Sequence, residues 1–154
     1  MLNKVLPRIL LYLNVMMFSG TAIAAGSGDH HGTTSKMPSS YAEALDIIKE
    51  RKCQEAIPLL KLADRKRQKH ADIIYLLGFV HRKTGDLDKA GAYYREALKI
   101  DGEHKGALEY RGKLFPMVGN KAAAKDNLRK LDKICSLDCS ELDDLRAIIA
   151  NYKS

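Results

Sequence analysis

Two cysteines near the end of the chain are close enough in sequence to react with each other. Cys135 and Cys139 bracket three residues, so a disulfide between them would close a very short loop. Such bonds persist in oxidising compartments. Cys53 would then remain unpaired. Free thiols are the alternative, and the distance of Cys53 from the other two argues against a zinc site or a redox nucleophile.

His30 and His31 follow Asp29 in a stretch rich in Gly, Ser and Thr. Two imidazoles and a carboxylate could bind copper or zinc weakly. A defined site needs further ligands held in place, and a flexible segment holds none. The remaining histidines show no ligand spacing; they are His70, His81 and His104. We therefore expect no metal and no other cofactor.

Catalytic motifs are missing from the sequence. It has no nucleophile elbow, no glycine-rich phosphate loop and no His-Glu-x-x-His pair. Serine, histidine and aspartate all occur, but their presence alone indicates no chemistry. The sequence therefore predicts a protein that is not an enzyme, and a binding module is the simplest interpretation.

The elements that would carry a binding site recur every 34 residues. Small residues occupy two positions of the repeat and a bulky apolar residue occupies a third. The three series are Ala44, Gly78 and Gly112; Ala56, Ala90 and Ala124; and Leu60, Tyr94 and Leu128. A repeat of ~34 residues built as helix, turn and helix has the length of the tetratricopeptide unit.

The middle copy, residues 71–104, carries the strongest resemblance to the tetratricopeptide repeat family. The matching positions are Leu77-Gly78, Gly85-Asp86, Ala90, Tyr94, Ala97-Leu98 and Asp101. Gly78 and Ala90 are small where two antiparallel helices must approach closely, and Tyr94 fills the space between them. Two weaker copies flank it, at about residues 37–70 and 105–138. The third copy has Arg111 where the second has Leu77.

The resemblance implies an all-α fold, a right-handed α-solenoid of three helix-turn-helix units within a domain at residues 41–152. A C-terminal capping helix is predicted at residues 140–152, with Ser140 as its N-cap and Asp143 as the capping-box partner. A polar-faced end helix is what a solenoid needs to close its core.

The first residues have the pattern of an export signal. Lys4 and Arg8 precede an apolar run, and Ala22-Ile23-Ala24 supplies the small-x-small pattern of a cleavage site. The run is about half of the ~20 residues that a membrane span needs. We expect a signal peptide at residues 1–24, cleaved near Ala24, and a flexible linker at residues 25–40. The protein would be periplasmic or secreted, with no stable membrane span after cleavage.

The chain is basic, but nucleic acid is not the expected partner. Its net charge of +7 falls to +5 once Lys4 and Arg8 are removed. Much of the excess lies in the run from Arg65 to His70, at the predicted end of a helix, where cations favour the helix dipole. No nucleic-acid motif is present, and no aromatic residues interrupt the run.

In the family that the chain resembles, the first helices of successive units line a concave groove. The matching positions are Tyr41, Leu45 and Lys49; Asp72, Tyr75, Phe79 and Lys83; and Glu109 and Lys113. These positions combine aromatic and basic side chains. Tyr75 and Phe79 are one helical turn apart and face the same way. Their packing against the neighbouring unit is the alternative interpretation.

The resemblance thus implies a scaffold or adaptor that binds another protein or an extended peptide, possibly acidic, in the periplasm or cell envelope. A homo-oligomer is possible. The alternative is a periplasmic metal-handling or redox accessory protein that uses His30, His31 and the cysteines. A third interpretation is a small self-assembling structural protein.

Overall fold

The computed structural model of the protein describes residues 36–152, which form seven α-helices. The helices are α1 (Ser39–Lys49), α2 (Cys53–Lys66), α3 (Ala71–Lys83), α4 (Leu87–Ile100), α5 (Lys105–Met117), α6 (Lys121–Ile134) and α7 (Ser140–Asn151). Each helix packs against the next one along the chain, and α7 packs on both α5 and α6. All regular structure in these residues is helical, which confirms the predicted solenoid of helix pairs. The predicted signal peptide, His30 and His31 lie outside the described residues.

The repeated small and apolar residues form the core between the helices. Ala56, Ala90 and Ala124 are fully buried, one in each second helix. A Cβ built on Gly78 would lie 2.6 Å from the ring of Tyr94, which is itself fully buried. The close crossing of α3 and α4 therefore depends on a position without a side chain.

The turns between paired helices each place one residue in the left-handed region of the backbone. Gly85 and Gly119 have φ of +89° and +77°, in the left-handed region that favours glycine. The Asp86 side chain then caps α4 by accepting a bond from the amide of Lys89. In the first turn the left-handed position is taken by Arg51, with φ of +64°.

The last helix begins differently from the prediction. α7 starts at Ser140, and its N-cap is Cys139, whose side chain makes no capping bond. Ser140 donates instead to the carboxylate of Glu141. The predicted capping box of Ser140 and Asp143 is therefore wrong, because Ser140 already lies inside the helix.

Packing fixes α7 on the third unit. Leu145 is fully buried, and a Cβ on Gly112 would lie 2.5 Å from its Cδ2 atom. Glycine at this position thus lets α7 approach α5 closely. Within residues 36–152, no helix is long and apolar enough to cross a membrane.

Candidate functional site

The first helices of the three units share one face, which we call the groove. It is formed by side chains of α1, α3 and α5. Asp72 of α3 bonds to His104, the N-cap of α5, through its Oδ1 atom at 3.0 Å from Nε2. Burial, with the charge of Asp72 as a smaller cause, raises the pKa of Tyr41 on α1. Side chains of the three units are therefore in contact or in electrostatic reach along this face.

An open cavity of about 650 Å³ lies at one end of the groove, where the turn between α1 and α2 meets the C-terminal end of α3. Its apolar wall includes Ile48 and Phe79. Four basic residues surround that wall, namely Lys49, Arg51, Lys52 and Lys83. Glu55 also lines the cavity. The cavity combines apolar surface with an excess of positive charge.

The basic residues of the cavity are not held in strong ion pairs within the chain. The Nζ atom of Lys49 lies 2.8 Å from Asp46, but both side chains are largely exposed. Exposed pairs of this kind contribute little to stability. Lys83 is exposed and stands over the ring of Phe79, at 5.5 Å from the centroid. A negatively charged ligand could therefore bind these cations without breaking a strong internal pair.

Aromatic rings continue the groove from the cavity toward α5. Phe79 meets Tyr110 edge to face, with centroids 5.3 Å apart, and Tyr75 lies 5.9 Å from Tyr110. Tyr75 also packs on His104, and a Cβ on Gly106 would lie 3.0 Å from its ring. Tyr75 thus joins two units, as the alternative interpretation anticipated. Phe79 contacts the neighbouring unit as well, yet it stays half-buried and lines the cavity.

Tyr110 and Arg82 belong to this face, although the repeat did not point to them. The guanidinium of Arg82 stands over the Tyr110 ring at 4.8 Å, and Lys113 Nζ lies at 5.0 Å. Arg82 could have been predicted from the sequence as a groove residue, because it follows Phe79 by three residues and so shares its helix face. Tyr110 could not have been predicted in this way, because its place in the groove depends on how α5 packs against α3.

The structure assigns Glu109 and Lys113 to an internal network. Glu109 is buried and forms an ion pair with Lys113, whose Nζ atom also lies 3.1 Å from Asp144 of α7. Burial raises the pKa of Glu109, and Lys113 opposes that effect. The sequence predicts both as groove residues. In the structure α7 covers them, and their charges are compensated by the ion pair between them and by Asp144. Leu45 is likewise half-buried against the apolar core.

The predicted thiol pair lies at the start of α7. The Cα atoms of Cys135 and Cys139 are 5.7 Å apart, and their sulfur atoms are within bonding distance. Cys53 has a free thiol and lines the cavity. Among residues 36–152, no three His, Cys, Asp or Glu side chains come together to hold a metal.

Comparisons with known proteins agree with this geometry. The sequence model of the tetratricopeptide repeat family matches residues 71–104, the middle unit. No curated protein sequence matches the chain.

Several solved structures share the fold. The type III secretion chaperone SycD of Yersinia enterocolitica, in complex with a peptide of the translocator YopD, has a TM-score of 0.62 at 16% identity, over 74% of this chain and 86% of that one. The second tetratricopeptide repeat domain of human RPAP3, in complex with the HSP70 peptide SGPTIEEVD, has a TM-score of 0.63 at 18% identity, over 71% of this chain and 92% of that one. A tetratricopeptide repeat protein of Parabacteroides merdae has a TM-score of 0.62 at 22% identity, over 71% of this chain and 43% of that one.

Proposed function

We propose that this chain is an adaptor of the tetratricopeptide repeat type that binds an extended segment of another protein in the groove; the match of its middle unit, residues 71–104, to the family's sequence model supports this. The observation that carries the proposal is the cavity of about 650 Å³ at the end of the groove. Its apolar wall and surrounding cations can bind a side chain and a carboxylate together. No catalytic role is needed to explain this arrangement.

The partner segment carries acidic residues next to apolar ones. Lys49, Arg51, Lys52 and Lys83 attract carboxylates, while Ile48 and Phe79 offer apolar surface. Beyond the cavity, the guanidinium of Arg82 stands over the ring of Tyr110 and adds one positive charge to this end of the groove. The charge of Glu109 is compensated internally and does not oppose binding.

Two structural neighbours support a peptide as the ligand. The Yersinia chaperone and the human domain are both in complex with peptides, and the human domain's peptide contains Glu-Glu-Val-Asp. At identities of 16% and 18% these neighbours show the fold, and their bound peptides support a peptide as the ligand of this chain.

The adaptor acts outside the cytoplasm. This part of the proposal rests on the leader, in which Lys4 and Arg8 precede an apolar run and the pattern Ala22-Ile23-Ala24. Cleavage near Ala24 would release the repeat domain into the periplasm or the medium. The N-terminal sequence of the protein purified from the envelope fraction tests it, since a chain that begins at Met1 contradicts export by this leader.

Photocrosslinking tests whether a partner segment binds in the groove. A photoreactive amino acid in place of Ile48 should capture a partner from an envelope extract, because Ile48 lines the cavity. Mass spectrometry should then map the crosslink to one segment with acidic and apolar residues. The control is the same amino acid in place of Lys125, an exposed position on α6. The proposal fails if both positions capture the same proteins.

A further inference from the structure

Arg111 occupies a position that elsewhere in the repeat belongs to the core. The equivalent residue of the middle unit, Leu77, is only 2% exposed. Arg111 is half-buried on α5, and its guanidinium stands over the ring of Phe115 at 4.9 Å. A charged group at an apolar position is unfavourable unless it has a partner.

A second arginine lies beside Arg111. Arg95 of α4 and Arg111 line one cleft between the two helices. Within residues 36–152, neither guanidinium has a carboxylate oxygen within 4.0 Å. Burial, with the charge of Arg95 as a smaller cause, lowers the pKa of Arg111. Arg95 is exposed and Arg111 is half-buried, so the two like charges repel each other and solvent screens part of that repulsion.

The cleft itself is small and mostly apolar. It has a volume of about 140 Å³, and its walls include Leu87 and Leu114. A Cβ on Gly91 would lie 3.2 Å from Leu114 and 3.7 Å from Arg95, so the glycine keeps the floor open beside the guanidinium. Asp88 also lines the cleft, but no basic group of the described chain lies within ion-pair distance of it.

We propose that this cleft binds a small aliphatic carboxylate, with its oxygens on Arg95 and Arg111 and its alkyl part on the leucines. Guanidinium groups bind the two oxygens of a carboxylate with paired hydrogen bonds. A cavity of about 150 Å³ accommodates benzene, a molecule of six heavy atoms, so a ligand of butyrate size fits. Inorganic phosphate would place hydrated oxygens against apolar walls and fits less well.

The site is separate from the groove. None of its residues lines the groove cavity, and on α5 Arg111 lies on a different face from Tyr110 and Lys113. Ligand binding here would relieve the repulsion between the arginines and hold α4 against α5. It therefore stabilises the folded repeat independently of any partner.

The test is thermal unfolding of the repeat protein titrated with sodium butyrate, at ionic strength held constant with sodium chloride. Butyrate should raise the unfolding midpoint of the wild type in a saturable manner. Arg111→Gln and Arg95→Gln should weaken the apparent affinity by about tenfold or more, because each loses a charged hydrogen bond. Butyramide, which has the same shape without the charge, should have no effect, and phosphate should have less effect than butyrate.

Arg65→Gln is the matched control, because Arg65 is an exposed arginine at the end of α2, remote from the cleft. It should respond to butyrate as the wild type does. An equal response in Arg111→Gln and the wild type, a response to butyramide, a stronger response to phosphate, or no response of the wild type would each overturn the proposal.

A second variant separates ligand binding from support of the fold. Without butyrate, Arg111→Leu should unfold at a higher temperature than the wild type, because it removes an unpaired, half-buried charge and restores the residue type of the middle unit. A lower midpoint would show that Arg111 supports the fold itself and would overturn the proposal.

Discussion

The ring of Tyr94 fills the space that a side chain on Gly78 would need. A Cβ at Gly78 would lie 2.6 Å from Cε1 of Tyr94 and 2.7 Å from Cδ1. Because Tyr94 is fully buried, its ring cannot move aside without disturbing the core. This contact sets how closely α3 and α4 pack in the middle unit.

Gly78→Ala should therefore destabilise the protein, by about 1–3 kcal/mol, the usual cost of overpacking. Chemical denaturation measures the change. Gly102→Ala is the control, because its added Cβ would have no neighbour closer than 3.8 Å. Similar unfolding free energies for the two variants would mean that the α3–α4 crossing tolerates a wider separation.

Leu145 anchors the last helix. It is fully buried against Gly112, so Leu145→Ala should leave a cavity and lower the unfolding free energy by about 2–5 kcal/mol. Ile148 lies on the same helix but is 42% exposed, and Ile148→Ala should have a much smaller effect. If both variants are equally mild, α7 is not an integral part of the core.

His81 should make stability depend on pH. Burial lowers its pKa, with the Asp86 carboxylate opposing only part of the effect. In the unfolded chain the imidazole has a pKa of about 6.5, so between the two pKa values the unfolded state holds more protons. The stability present above that pH is therefore lost as the pH falls toward the lower pKa of the folded state.

His81→Phe removes the titrating group and keeps a ring to stack on Tyr93, which lies 5.4 Å away. The unfolding free energy of the wild type should fall more than that of the variant between about pH 7.5 and about pH 5.5. Parallel pH profiles for the two proteins would rule out this role for His81.

The thiols are predicted to differ in reactivity. In protein from an oxidising compartment, Cys53 should be the one thiol that reacts with maleimide, and all three cysteines should react after reduction. Mass spectrometry counts the additions. Three additions before reduction would exclude a bond between Cys135 and Cys139. The bond should contribute little stability, because its loop is very short.

The helices and their pairing could be predicted because the repeat is local. Small residues such as Gly78 and Ala90 recur at one spacing, and that spacing determines which helix faces meet. The groove was harder to predict. Lys113 has the right position on α5, but Asp144 of α7 binds it, and that contact depends on a helix outside the repeat. Tyr110 likewise enters the groove only through packing between two units.

The central claim is that the groove binds an acidic segment at defined positions. It is tested most directly by the association rate of the segment that is captured by crosslinking, measured with Lys83→Glu and with Lys66→Glu. Both changes alter the net charge equally, but Lys83 lines the cavity and Lys66 lies at the exposed end of α2. Lys83→Glu should slow association roughly tenfold and reduce its dependence on salt, while Lys66→Glu should have little effect. Equal slowing by both variants would contradict the claim, because the attraction would then be diffuse charge.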